Sequence, residues 1–311
     1  MSSASPLNCR NALTVDVEDY FHVEAFASQV RYEEWDSFTP RVERNVKRIL
    51  ELFARYDAKA TFFVLGWIAK KFPRLVQEIA NAGHEIGSHG YKHKRLQILT
   101  RDEFRQDIRE SVAVLTDQIH GPIRCYRAPS FSIVNSTMWA LDILGEAGIS
   151  FDSSVFPVRH DLYGVPGAER FPSWYVSKDG YRIFEFPPST IRWCGQNLGV
   201  AGGGYLRMIP YSITRFAIDR INKVQKQPAM VYFHPWEIDP DQPRISGGRR
   251  SVMRHYTNLA TTEIKIRRLL QDFGFGTLSE ISSSHKSYAN RPATPQEVPR
   301  SAAVARAAGS R

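Results

Sequence analysis

His89 and His93 stand four residues apart in "GSHGYKHKRL", residues 87–96. If the chain turns helical after the preceding strand, the two imidazoles share a face and converge, a geometry that suits a borderline cation such as Zn²⁺. Such an ion also needs a carboxylate, and the run "TVDVEDY" supplies Asp16, Glu18 and Asp19. Histidines at this spacing also occur on exposed helices that bind nothing, so the pair gains weight only from its neighbours. These are Arg127 in "YRAPSF", Asp152 in "FDSS" and His234 in "VYFHPW". Each cluster follows a strand-like segment, and the C-terminal ends of parallel strands are where α/β folds gather catalytic groups. Chance placement of all of them at strand ends is a poor explanation.

The elements that must position these groups alternate. "ALTVDVEDYF" opens with β-branched alternation and ends in acids. The spacing then predicts a helix from Pro40, with Thr39 as N-cap and Val42, Val46, Ile49, Leu50 and Phe53 on one face. "KATFFVLG" reads as a buried parallel strand, and the next helix has Pro73 near its start and Gly83 just past its end. "HEIGSH" is a short strand; Thr100 and Glu103 form a capping box for a helix carrying Phe104, Ile108, Val112 and Leu115. "IRCYRAPSF", a helix over Met138, Leu141 and Leu144, and "ISFDSSVF" continue the pattern. Residues 157–205 read as loop-rich, with a strand in "YRIFEFP" and a flexible loop in "AGGGY". A helix over 211–224, a strand in "AMVYFHP", a helix over 257–273 and a strand in "FGTLSE" close the series. Repeated βα units imply a parallel sheet, barrel or doubly wound, in one domain over residues 10–281. Residues 1–9 read as an arm, and 282–311, rich in Ala, Pro and Ser without an apolar period, as a disordered tail.

No G-x-G-x-x-G or G-x-x-x-x-G-K-[ST] follows a strand, which argues against dinucleotide and P-loop chemistry. The formal net charge is +9. Residues 286–311 hold Lys286, Arg291, Arg300, Arg306 and Arg311 against Glu297, and other basic residues are scattered over helices. The charge therefore reads as a solvated surface, with no nucleic-acid partner. No apolar run reaches the length of a membrane span, and the start lacks a basic segment followed by an apolar one. A cytoplasmic location is expected, without an integral membrane segment. Cys9, Cys125 and Cys194 are widely spaced and read as reduced structural thiols.

With these residues in this order, the chain resembles the NodB-type polysaccharide deacetylases (carbohydrate esterase family 4-like) over roughly residues 10–280. "TVDVED" is similar to that family's first motif, usually T-F-D-D, and "HGYKH" to its second, H-[ST]-x-x-H. "RAPSF" is similar to the third, R-x-P-[YF], "FDSS" to the fourth and "YFHP" to the fifth. "TVDVEDYFHVEAF" and "YFHPWEIDPDQPRI" look more narrowly like the subgroup found with exopolysaccharide and exosortase (PEP-CTERM) loci.

The resemblance implies a distorted (β/α)7-type barrel and a divalent metal, Zn²⁺ ahead of Co²⁺ or Ni²⁺, held by His89 and His93. It implies hydrolysis of acetyl groups from N-acetylhexosamine units of an exopolysaccharide or its precursor. An acetylated glycan is the partner it implies, in contact with membrane-bound polysaccharide synthesis machinery. Asp16 matches the general base, and Val17 stands where the family has its second aspartate. The carboxylate ligand is then Glu18 or Asp19; in another register Glu18 is the base and Asp19 the ligand. His234 matches the general acid. Arg127 would orient the base, or else form a structural ion pair. Ser130 marks a backbone N–H for the oxyanion, and Asp152 is either a substrate-binding or a turn residue. Trp236 and Tyr205 would stack on a sugar or lie in the core, and His22 and His84 read as packing residues. Two other readings stay open: a metal-independent amidohydrolase like the allantoinases, which typically lack the paired histidines, and a carbohydrate-binding protein that has lost turnover.

Overall fold

The computed structural model describes residues 10–177 and 179–284. The expected arm, and the tail from residue 285 onward, lie outside the described residues. The chain runs β1 (Asn11–Val17), α1 (Val42–Arg55), β2 (Thr61–Val64), α2 (Gly66–Lys71), α3 (Pro73–Asn81) and β3 (Glu85–Ser88). It continues with α4 (Arg101–Ile119), β4 (Cys125–Tyr126), α5 (Ala140–Glu146) and β5 (Phe151–Asp152). Next come β6 (Ser173–Val176), β7 (Arg182–Glu185), β8 (Thr190–Trp193) and β9 (Gln196–Gly199). The described part ends with α6 (Gly203–Met208), α7 (Tyr211–Asp219), β10 (Met230–Phe233), α8 (Arg249–Tyr256), α9 (Leu259–Asp272), β11 (Phe275–Gly276) and α10 (Leu278–Ser284).

The main sheet has the order β10-β1-β2-β3-β4-β5-β7-β6, with β11 on the start of β1. Every pairing is parallel except β6 with β7. Among the described residues no pairing joins β10 to β6, so the barrel is an open, curled sheet. A separate antiparallel pair, β8-β9, stands beside it.

The period of two in the strands sorts residues onto two faces. Leu13, Val15 and Val17 of β1, Phe62 and Val64 of β2, and Val231 and Phe233 of β10 join the helices in the outer core. Ala12, Phe63, Met230 and Tyr232 face the hollow of the sheet with Cys125, Phe131, Phe156 and Phe184. Asp16 has the parity of Ala12, so a carboxylate is carried into that hollow. Because the strands are parallel, Asp16 and Val17, Ser88, Tyr126, Asp152 and Phe233 all end at one edge, and the chemically active residues follow from there.

The structure corrects several expectations. α1 begins at Val42 rather than Pro40, and its cap comes from far away: Asp19 Oδ2 accepts the N–H of Arg41 (2.6 Å) and of Val42 (2.8 Å). "AGGGY" is not a loose loop, because Gly202 bridges to Tyr232 and α6 starts at Gly203. A Cβ on Gly202 would lie 1.9 Å from the Tyr232 ring, which is why glycine stands there. "FGTLSE" is strand only over Phe275–Gly276. Leu278 and Ile281, three apart and both buried, then set a helical period through Ser284. β6, β8 and β9, in the stretch read as mostly loop, lack the apolar alternation that would have marked them.

Candidate metal centre and active site

The expected helix after β3 does not form; residues 89–95 are loop. His89 leaves the end of β3, Gly90 turns the chain at φ 73°, and His93 itself takes a left-handed φ of 51°. Side chains outside the loop hold it: Asp107 on α4 accepts the N–H of Tyr91 (2.8 Å) and Lys92 (3.3 Å). Ser88 Oγ accepts the Gly90 N–H (3.1 Å), and Ser111 Oγ donates to the Gly90 carbonyl (3.1 Å). The two imidazoles thus converge through an anchored loop rather than along a helix face, with ring centroids 5.3 Å apart.

Glu18 follows β1 and turns Oε1 toward them, 3.4 Å from Nε2 of His89 and 3.4 Å from Nε2 of His93. One ligand atom from each of the three lies within 4.8 Å of the others, and all three residues are buried. Asp19 is not among them, because its oxygens are taken by the N–H groups of Tyr20, Arg41 and Val42. Burial alone would raise the Glu18 carboxyl, but the facing imidazoles of His93 and His234 outweigh it and hold it well below the usual carboxylate range.

The donor set fits a cation. His89 Nδ1 lies 2.8 Å from the Arg127 carbonyl, which can only accept, so the proton sits on Nδ1 and Nε2 carries a lone pair. That Nε2 is buried and makes no hydrogen bond, despite its 3.4 Å approach to Glu18. A lone pair facing a carboxylate is repulsive unless a positive charge lies between them. Two histidine nitrogens and a carboxylate oxygen are the protein ligands of open, catalytic zinc sites.

Beside this cluster, Asp16 Oδ1 accepts from Arg127 Nη1 at 2.6 Å. Arg127 is fully buried, donating also to Thr14 Oγ1 (2.8 Å), the Ser153 carbonyl (3.0 Å) and Ser153 Oγ (2.9 Å). Its guanidinium stands 4.4 Å from the Phe63 ring centroid. The other Asp16 oxygen, Oδ2, lies 3.8 Å from His234 Nε2, which is also 3.4 Å from Glu18 Oε1. His234 comes from the end of β10, and its Nδ1 lies 2.9 Å from Glu237 Oε2. Glu237 in turn takes Arg207 Nε at 2.5 Å, and Arg207 Nη1 donates to the carbonyls of Arg254, His255 and Thr257. Burial opposes ionisation of Glu237, but Arg207 and His234 pull its carboxyl down to about 2.

The sheet edge therefore brings together Asp16, Glu18, His89, His93, Arg127 and His234. Asp152 ends β5 at the same edge, fully buried and accepting from Ser154 Oγ (2.6 Å) and the Ser154 N–H (3.2 Å). It faces Glu185 across the β5–β7 pairing, and burial pushes both carboxyls up. Ser130 and Phe131 both have positive φ (54° and 52°), an unusual backbone turn for non-glycine residues. Trp236 is core, stacked between His234 and His255. Tyr205 packs on Phe156, and His22 lies between Trp35 and Trp67. Sequence reasoning missed Asp107, Glu237 and Arg207. Glu237 had a signal, three residues after His234 in "HPWE"; Arg207 had none, since it is distant in sequence from what it holds.

Residues 33–150 match the family model described as polysaccharide deacetylase, and residues 153–283 match a domain of unknown function (DUF3473). The chain is 32% identical over 128 residues to a peptidoglycan-N-acetylglucosamine deacetylase of Bacillus cereus, covering 37% of this chain and 44% of that protein. It is 30% identical over 113 residues to a Helicobacter pylori peptidoglycan deacetylase, covering 36% of this chain and 38% of that one. The chain thus spans less than half the length of these curated relatives. In fold it is similar to a Mycobacterium smegmatis protein classed as a polysaccharide deacetylase (TM-score 0.62, 18% identity, 96% of each chain). It is similar also to the Puue allantoinase (TM-score 0.57, 14% identity, 91% of this chain and 95% of that one). Over residues 33–150 and in the fold of its sheet the chain is similar to polysaccharide deacetylases, and the motifs along the C-terminal edge of that sheet resemble those of the NodB type.

Proposed function

We propose that residues 10–281 work as one metal-dependent hydrolase that removes acetyl groups from N-acetylhexosamine units of an exopolysaccharide or its precursor. The observation that carries this reading is the Glu18–His89–His93 cluster, whose unpaired His89 Nε2 faces a carboxylate beside Asp16 and His234. Glu18, His89 and His93 would hold the ion, with Zn²⁺ favoured by the nitrogen-rich set and Co²⁺ or Ni²⁺ as substitutes. Bound there, it would polarise the acetyl carbonyl and acidify water.

The remaining roles follow from this chain's own atoms. Arg127 fixes one Asp16 oxygen; Oδ2 takes the proton of the attacking water. His234, held at Nδ1 by Glu237, presents Nε2 to the same space and gives a proton to the departing amine. The backbone N–H at Ser130 would meet the oxyanion. Asp152, opposite Glu185 in the β5–β7 pairing, would support the sheet edge.

The name of the Bacillus cereus relative supports an N-acetylglucosamine-containing substrate. We place the reaction in the cytoplasm, against a precursor presented by membrane-bound synthesis machinery; no helix among the described residues is long and apolar enough to cross a membrane. The test is metal content of the purified protein followed by acetate release from N-acetylglucosamine oligomers. Zinc near one equivalent, with release abolished by chelator, is expected. Asp16→Asn should keep the metal and lower turnover about 10²–10⁴-fold. Activity that persists in chelator would favour an allantoinase-like reaction, and tight metal without release from any acetylated glycan a binding protein.

A further inference from the structure

The loops around β5, β7 and β8 enclose a cleft of about 450 Å³, within the range of small-ligand pockets. Arg159, Arg170 and Arg192 line it, with Glu169, Gln196 and Asn197. Arg170 is half-buried and fixed: Nε donates to Thr190 Oγ1 (3.1 Å), Nη2 to the Thr190 carbonyl (2.5 Å), and the guanidinium stands 4.9 Å from the Phe171 ring centroid. Burial, then the charges of Arg192 and Arg220, push its pKa down. Among the described residues none of these four arginines forms an ion pair, and Glu169 reaches none of them. Arginines elsewhere do find acids, as Arg41 and Arg44 with Asp239, Arg95 with Glu24 and Arg207 with Glu237. Like charges gathered in a concavity repel one another and raise affinity for an anion.

Topology puts this cleft on the catalytic edge of the sheet. Pro157 and Arg159 follow the C-terminal end of β5, which runs parallel to β4. β6 starts at Ser173 opposite Glu185, the last residue of β7, so residues 166–171 sit at the same edge. β8, which carries Arg192, follows that end of β7 directly. Glu18, His89 and His234 leave the sheet at the same edge from β1, β3 and β10.

We propose that the arginine cleft is an anion subsite for a carboxylate or phosphate substituent on the glycan whose acetyl group reaches the Glu18–His89–His93 cluster. That the anion is borne by a glycan rests on the deacetylase reading; the anion site itself does not. Guanidinium groups suit either substituent because they offer paired donors to two oxygens. Gln196 and Asn197 add side-chain amides of the kind that meet sugar hydroxyls.

The zinc-loaded full-length protein should be titrated with a hexasaccharide alternating N-acetylglucosamine and glucuronic acid, and with the neutral N-acetylglucosamine pentamer. The phosphate arm compares N-acetylglucosamine 6-phosphate with N-acetylglucosamine. We expect about tenfold tighter binding of the charged member in at least one arm at low salt, with the preference shrinking at about 0.5 M salt. The arm with the larger preference identifies the anion. Arg159→Gln with Arg192→Gln, both at exposed positions, should cut the preference at least fivefold, and Arg170→Lys should weaken it without unfolding. Equal affinity within both arms, or a preference that the double variant leaves intact, would overturn the subsite. Acetate release separates the two readings. A charge preference without release from any probe sinks the deacetylase reading and keeps the subsite, whereas release without preference does the reverse.

Discussion

Asp19 gives both carboxylate oxygens to backbone N–H groups, while Glu18, one residue earlier, turns Oε1 to three imidazole nitrogens. Adjacent acids therefore differ in what their loss should do. Glu18→Gln is expected to lower zinc stoichiometry well below one equivalent with little change in fold. Asp19→Ala should retain zinc and destabilise the protein by about 1–2 kcal/mol, the usual cost of a lost helix cap. Metal analysis paired with urea denaturation reads both, and zinc loss in Asp19→Ala would reverse the assignment. The choice was not legible in "DVED", because it depends on where α1 begins. Glu237 supplies a second case. Its carboxylate ties His234 Nδ1 to Arg207, so Glu237→Gln should lower kcat by about 10–100-fold, as loss of an orienting partner does, while KM stays within about twofold. A rise in KM at constant kcat would instead give Glu237 a role in binding.

At the scale of elements, the residues of the site could be read from the sequence, but the means of bringing them together could not. Polar groups at strand ends were visible because the flanking runs "KATFFVLG" and "AMVYFHP" are continuous and apolar. The convergence of His89 and His93 was expected from a helix, yet the fold uses a loop pinned by Asp107 on α4, and nothing in "HGYKH" points to that acid. Gly90 is where this loop is most sensitive to substitution. Its φ is 73°, and a Cβ added there would lie 2.9 Å from Asp107 Oδ2, so alanine would meet both backbone strain and the anchoring carboxylate. Gly90→Ala should weaken zinc binding about tenfold or more and lower stability by about 1–3 kcal/mol. Competition with a zinc chelator measures the first effect. Affinity equal to the parent protein would mean that the loop does not set the ligand geometry.

Across the whole molecule, the segments matched by the two family models build one sheet. β1, ahead of both, pairs with β2 on one side and with β10 from the second segment on the other, while β5 leads from the first into the second. Stability should accordingly be a property of the whole sheet, and its pH dependence can be argued from groups spread across it. His84 accepts the Ala60 N–H at Nδ1 (3.2 Å), and burial, with Lys59 nearby, lowers its pKa to about 4. His255 sits with Nε2 2.8 Å from Gln242 Oε1 and its ring on Trp236; burial, then Arg207, lowers its pKa to about 3. Both histidines are neutral in the folded state and take up a proton near pH 6.5 when unfolded. Below that value the unfolded chain binds more protons, so stability is full above about pH 6.5 and falls as pH drops toward 4 for His84 and 3 for His255. Between pH 7 and 5 the loss should be about 2 kcal/mol for each. Urea denaturation with chelator present keeps metal release out of the measurement. His84→Asn with His255→Gln preserves the acceptor at Nδ1 and the donor at Nε2 while removing the titration. The double variant should flatten the stability profile between pH 7 and 5 by about 4 kcal/mol, and an unchanged profile would show that other groups govern acid unfolding.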